Sequence, residues 1–376
     1  MNAIRPPSLT PFRTVITHFE ARSGAGDDAY EEGVWVLFAC SSEQWLSCAL
    51  SNGDVKLYDK ERLEPIQTYT HGQHLITDLQ AGSGPNMLIV SGMNGQVALY
   101  DVRQSSKPAL TFVLPRNEAA LSVSLGYDGA LAAVAGAKAH VHFFDVRGGG
   151  VLLGSYQDSH TEEVTRVRFQ SIMSPLLVSG SEDGLSCIFD TSQPSEDAAL
   201  KSVLNVQTPL REVGFFGPSL EGVYCLTGSE TMSVWHHDSA QRICDFGLDL
   251  RTQLSQVSGG TPMEYLVNCY WDASQQQLSL LAGNHAGDGG MFKVDAGSIS
   301  IQHLLLGGHR GDIRSWCALA PGTFATVGED ARLCEWNTKV GSAVPPNNVA
   351  ASERTKQNAA GGPIRRNKTK TPISPY

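Results

Sequence analysis

His160-Thr161-Glu162-Glu163-Val164-Thr165-Arg166-Val167-Arg168-Phe169, with Ser179-Gly180-Ser181-Glu182-Asp183-Gly184-Leu185 ten residues further on, spells out one structural unit. From Val164 to Phe169 the side chains alternate between two faces, the period of a half-buried strand. Pro175 punctuates a turn, and Leu176 to Ser179 read as a second strand. Glu182-Asp183-Gly184 then supplies a tight turn, because an Asp-Gly pair between two apolar runs accepts the positive φ that such a hairpin needs. Leu185 to Asp190 read as a third strand that ends in Phe189-Asp190.

The same ending recurs along the chain as Tyr58-Asp59, Tyr100-Asp101, Phe144-Asp145, Phe189-Asp190, Trp235-His236, Phe292-Lys293 and Trp336-Asn337. Successive aromatics are 42, 44, 45, 46, 57 and 44 residues apart. Six residues before each stand Asn52, Asn94, Lys138, Asp183, Ser229, Ala286 and Asp330, four of them Asn or Asp, as a hairpin turn demands. This period is similar to that of WD repeats, each of which builds one four-stranded blade of a β-propeller. The expected fold is therefore all-β, a seven-bladed WD-repeat propeller over residues 13–340, between a disordered N-terminus (1–12) and a disordered basic tail (341–376). After Trp336 the chain turns polar, so blade seven lacks its own outer strand, and Arg13 to Glu20 can supply it. Closure of this kind leaves no open sheet edge between the first and last blades. The long gap before Phe292 is assigned to 248–262, a polar stretch with Gln253, Ser255, Gln256 and Gly259-Gly260, read as a rim loop between blades five and six.

Composition agrees with many short strands: 38 glycines and only 18% charged residues in a chain of 376. The eight cysteines include no C-x-x-C pair and mostly fall in apolar runs, so free buried thiols in a reducing compartment are expected. The first residues offer no apolar signal segment, and no run approaches the roughly 20 apolar residues of a membrane span. The net charge of −10 divides unevenly, with +5 on residues 341–376 and therefore −15 on the remainder. An acidic propeller repels phosphate, which argues against direct binding of duplex DNA.

His309, Thr326, Asp330 and Trp336 carry the groups of a hydrolase triad, as do His160, Ser179 and Asp183 in the fourth repeat. In WD repeats these residue types at these offsets form a buried hydrogen-bond relay, and that structural role is the expected one. Phe189 cannot donate as tryptophan does, so the fourth relay should be truncated. His140 and His142 lie two apart on a strand and share one face, which could chelate. No third ligand of matching spacing lies nearby, and neither a metal nor a cofactor is expected. Asp101-Val102-Arg103 and Asp145-Val146-Arg147 close consecutive repeats with one signature, which resembles the box by which many WD proteins dock on the adaptor of cullin-type ubiquitin ligases. The plainer reading pairs Arg103 and Arg147 with a carboxylate of their own or a neighbouring strand. In the tail, Arg365, Arg366, Lys368 and Lys370 read as a nuclear-localisation cluster, with Thr371 and Ser374 as proline-directed phosphorylation candidates.

Three blocks carry a narrower resemblance: Ser51-Asn52-Gly53-Asp54-Val55-Lys56-Leu57-Tyr58-Asp59, the fourth-repeat stretch quoted above, and Gly307-Gly308-His309 with Ile313-Arg314-Ser315-Trp316. The chain resembles the WD repeat-containing protein 89 family over most of residues 34–337. That resemblance implies a non-enzymatic propeller of the cytoplasm and nucleus whose partners are other proteins. Three functions remain open from sequence: a scaffold or adaptor, a substrate receptor of a cullin-type ligase, and a small-molecule or enzymatic site in the central channel.

Overall fold

The repeat closes on itself because each unit can bury its apolar faces only against the next one. A computed structural model describes residues 6–17 and 33–339, apart from 73, 83, 105, 106 and 172. It places seven sheets in a ring, one per period: blade one over 36–70, two over 76–113, three over 120–156, four over 164–205, five over 210–245, six over 265–305 and seven over 313–337. Within a blade the strands run a to d from the axis to the rim, all antiparallel. Blade four shows the pattern, with a Val164–Phe169, b Leu176–Ser181, c Leu185–Asp190 and d Leu200–Asn205.

All seven terminal aromatics are buried, since each ends strand c where it faces an adjoining blade. The core is thus a set of wedges between blades. One wedge joins Trp45, Val55, Leu57 and Tyr69 of blade one to Ile76, Leu79, Leu88 and Tyr100 of blade two. The Asn-Gly turns behave as their composition requires. Gly53 adopts φ 88°, and a Cβ there would lie 2.0 Å from the Gly72 carbonyl oxygen. Only glycine admits both that φ and that approach.

Blade seven is closed by the N-terminal segment. Arg13–Ile16 runs antiparallel to Arg332–Asn337, pairing Arg13 with Glu335, Thr14 with Cys334 and Val15 with Leu333. The Arg13 guanidinium meets the buried Glu335 carboxylate, which fixes the register electrostatically. Thr17 extends the join through its N–H and hydroxyl to the Ala331 carbonyl. Residues 18–20 of the expected closing strand lie outside the described residues.

Two segments differ from expectation. The N-terminus was expected to be disordered through residue 12, yet Ser8–Leu9 adds a fifth, parallel strand to the rim of blade six, opposite Leu304 and Leu305. Leu9 pays for that order by joining Val267, Leu305, Ile313 and Trp316 in a core wedge. The expected rim loop of 248–262 contains an α-helix, Leu250–Val257. Leu250 and Leu254, four apart on one face, are buried against Phe246, Met263, Leu266 and Leu304.

Candidate interaction face at the channel mouth

Every inner strand carries a register shift near its start: at Val36/Phe38, Ile76/Asp78, Ala120/Ser122, Val164/Arg166, Leu210/Glu212, Leu266/Asn268 and Ile313/Ser315. Such a bulge leaves one residue unpaired and re-aims its side chain. The seven residues so released all line one cavity of about 630 Å³ at the mouth of the central channel. Leu37, Leu121 and Val267 make it apolar, Thr77 and Thr165 offer hydroxyls, and Arg211 and Arg314 offer charge. Beside the first of these, Trp35 and Leu75 are 43% and 45% exposed, and Met93 on the neighbouring turn is 47% exposed. The mouth is therefore divided. Blades one to three present an apolar lip, and blades four, five and seven present Glu163, Glu182, Arg211 and Arg314.

Below the mouth the axis is crossed by an ionic network. Arg166 bonds Glu212 at 2.8 Å and lies over the Phe38 ring at 5.7 Å, so one side chain joins blades one, four and five. Arg168 reaches Asp78 of blade two at 2.8 Å and Glu212 at 3.5 Å, while Ser122 donates to Asp78 at 2.6 Å. Burial alone would raise the Asp78 pKa, but Arg168, Arg166 and the Ser122 hydroxyl hold it below the usual carboxylate range. Among the described residues, the cavity lining contains no histidine and no cysteine.

The residues that suggested a hydrolase meet inside the blades. In blade seven His309 Nδ1 is 3.0 Å from Asp330, its Nε2 is 2.7 Å from Thr326 Oγ1, and the Trp336 indole N–H donates to that same oxygen at 2.8 Å. Arg310 N–H also donates to Asp330. Blade four repeats the first part, with His160 3.0 Å from Asp183 and 2.7 Å from Ser179, and ends there because Phe189 has no N–H. His160, Ser179, His309 and Thr326 are all buried, so neither hydroxyl faces a space that a substrate could enter. The arrangement ties the loop before strand a to the b–c turn and to strand c.

This relay, seven blades and the N-terminal closure accompany similarity to proteins that carry the repeat by name. The chain is 26% identical over 334 residues to the WD repeat-containing protein 89 homolog of Dictyostelium discoideum, covering 88% of this chain and 90% of that one. The chain is a seven-bladed β-propeller similar to WD-repeat proteins. The WD repeat-containing protein GTS1 of Arabidopsis thaliana is 27% identical over 315 residues, 78% of each chain. A chain in the crystal structure of the mitotic checkpoint complex superposes with a TM-score of 0.67 at 15% identity, over 90% of this chain and 94% of that one, a likeness of fold. No family model matches.

Elsewhere on this propeller the candidate residues separate. Arg103 forks onto its own strand's carboxylate, with Nε 2.9 Å and Nη2 2.7 Å from Asp101. That hydrogen bond above all holds the Asp101 pKa down to about 2. Arg147 instead reaches Asp128, while Asp145 accepts the Gly148 N–H. The two boxes share a sequence and differ in geometry. His140 and His142 do have a third group beside them, contrary to expectation: Glu118 lies 3.3 Å from His140 and 3.2 Å from His142. It stands 22 residues before His140, too far for any local spacing rule to link them. Arg365, Arg366, Lys368, Lys370, Thr371 and Ser374 lie outside the described residues. The bulge residues were missed as well, because an extra residue within an alternating strand looks like ordinary strand sequence.

Proposed function

We propose that this propeller is a non-catalytic scaffold that docks a protein partner on the channel mouth. The observation that carries the reading is the concentration there of the released bulge residues and of exposed Trp35, Leu75 and Met93, an apolar lip facing a charged one. Aromatic and apolar anchors beside arginines are the composition of binding hot spots. Arg166 and its carboxylate partners close the floor, so the mouth is suited to a protruding segment of a partner. Cytoplasm, nucleus or both are the proposed locations. Replacing Trp35 and Leu75 together by Glu tests this. Partner recovery in quantitative affinity purification should drop about tenfold or more, since losing two anchors of roughly 2 kcal/mol exceeds 1.4 kcal/mol per decade, with an unchanged melting temperature. Equal recovery would sink the mouth as the docking face.

The ligase-receptor reading remains a proposal for the opposite end of the strands. Its support is the exposure of the Arg103 and Arg147 side chains, 67% and 66%. Against it, Arg103 would first have to leave Asp101.

A further inference from the structure

Blade three has no His–hydroxyl–Trp relay, and something else fills that position. Glu118, in the loop just before strand a (Ala120–Gly126), turns its carboxyl towards strand c (Val141–Asp145). Its Oε2 is 3.3 Å from His140 Nδ1 and 3.2 Å from His142 Nε2, and one ligand atom from each of the three residues falls within 4.8 Å of the others. The Glu118 and His142 side chains are 2% and 3% exposed, whereas His140 is 25% exposed. We propose that Glu118, His140 and His142 form a site for a divalent transition metal, zinc, which a two-imidazole, one-carboxylate set binds, with a fourth position open to water beside His140.

Three features support this site. Ligands of a tetrahedral shell with bonds of about 2.0–2.1 Å stand roughly 3.3 Å apart, which is the spacing of both imidazoles from Oε2. The relay pairs of blades four and seven sit closer, at 3.0 Å. Each inner ligand is also steadied by an outer partner: the Lys138 N–H donates to Glu118 Oε1 at 2.6 Å, and His142 Nδ1 is 2.7 Å from Ser155 Oγ. An N–H from Nδ1 to that hydroxyl leaves the Nε2 lone pair for the ion, the usual outer-shell arrangement of a metal-bound histidine. Finally, a Cβ on Gly136 would stand 2.1 Å from Oε1, so glycine there is what admits the carboxyl.

The test is titration of untagged full-length protein with Co²⁺ and, by calorimetry, with Zn²⁺. One saturable equivalent is expected, with the visible absorption of four-coordinate Co²⁺ and without a thiolate-to-metal band, which separates this site from the eight cysteines. Bound Zn²⁺ should raise the melting temperature, because the three ligands are brought together only in the folded chain. Ser155→Ala should weaken binding about tenfold as an outer-shell loss. His140→Ala should abolish the equivalent while leaving the metal-free melting temperature in place. Glu118→Gln should do the same, and if it fails to fold, the partly exposed His140 decides. Absence of saturable binding, a thiolate band, or unchanged binding in His140→Ala overturns the site.

Discussion

At the scale of single residues, the same chemical groups serve different ends according to what surrounds them. Asp183 illustrates this. Burial would raise its pKa, but the His160 ring and the N–H groups of Thr161 and Leu185 bring it down to about 2 from 3.8. Asp330 is lowered for the same reasons. A carboxylate whose folded pKa lies below its unfolded value stabilises the fold fully above about pH 4, and that contribution is lost as pH falls through about 2. Wild-type protein should therefore lose melting temperature steeply between pH 4 and pH 2, and Asp183→Asn should be less stable at pH 7 but flatter across that window. Parallel curves for the two proteins would show that Asp183 is not the titrating support. Asp101 reaches a similar value through Arg103, whose exposed guanidinium is screened by solvent, so the pair leaves little for stability.

At the scale of strands and helices, what could be read from sequence depended on whether a signal was local. The Asn-Gly and Asp-Gly turns and the terminal aromatics are local, and blades one, two, four and seven follow from them. Blades three, five and six have Lys138, Ser229 and Ala286 at the turn position, so they were placed only by the period of their neighbours. The helix Leu250–Val257 was hidden because its buried face is just Leu250 and Leu254 amid Gln and Ser. Leu254→Ala should cost about 2–5 kcal/mol in urea unfolding, as for other leucines truncated in a core; a change near zero would return the segment to a rim loop. Ser8–Leu9 escaped because two residues carry no period and prolines flank them. The closing strand was legible from what Trp336 lacks after it. Deleting residues 1–17 removes both N-terminal strands and bares the edges of blades six and seven. Melting temperature and solubility should both fall markedly. A truncated chain that melts within about a degree or two of the full one, a shift worth only about 1 kcal/mol in a body of this size, would mean that the propeller closes without it.

At the scale of the whole molecule, seven copies of one irregularity produce one surface. The bulge near the start of each inner strand is invisible in any single repeat, yet together the seven line the channel mouth with apolar, hydroxyl and cationic groups. Arg166 and Arg168, two apart on an alternating strand, tie blades together across the axis. The candidate site was thus mostly illegible, because it is assembled from positions some 45 residues apart whose types vary from blade to blade. The central claim is that partners engage this mouth and not the opposite end. A photo-crosslinking amino acid placed at Leu75, and in a separate protein at Arg147, decides between the two ends in one experiment in cells. Discrete crosslinked partners from Leu75, lost when Trp35→Glu is added, are the predicted result. Partners captured from Arg147 with none from Leu75 would contradict it.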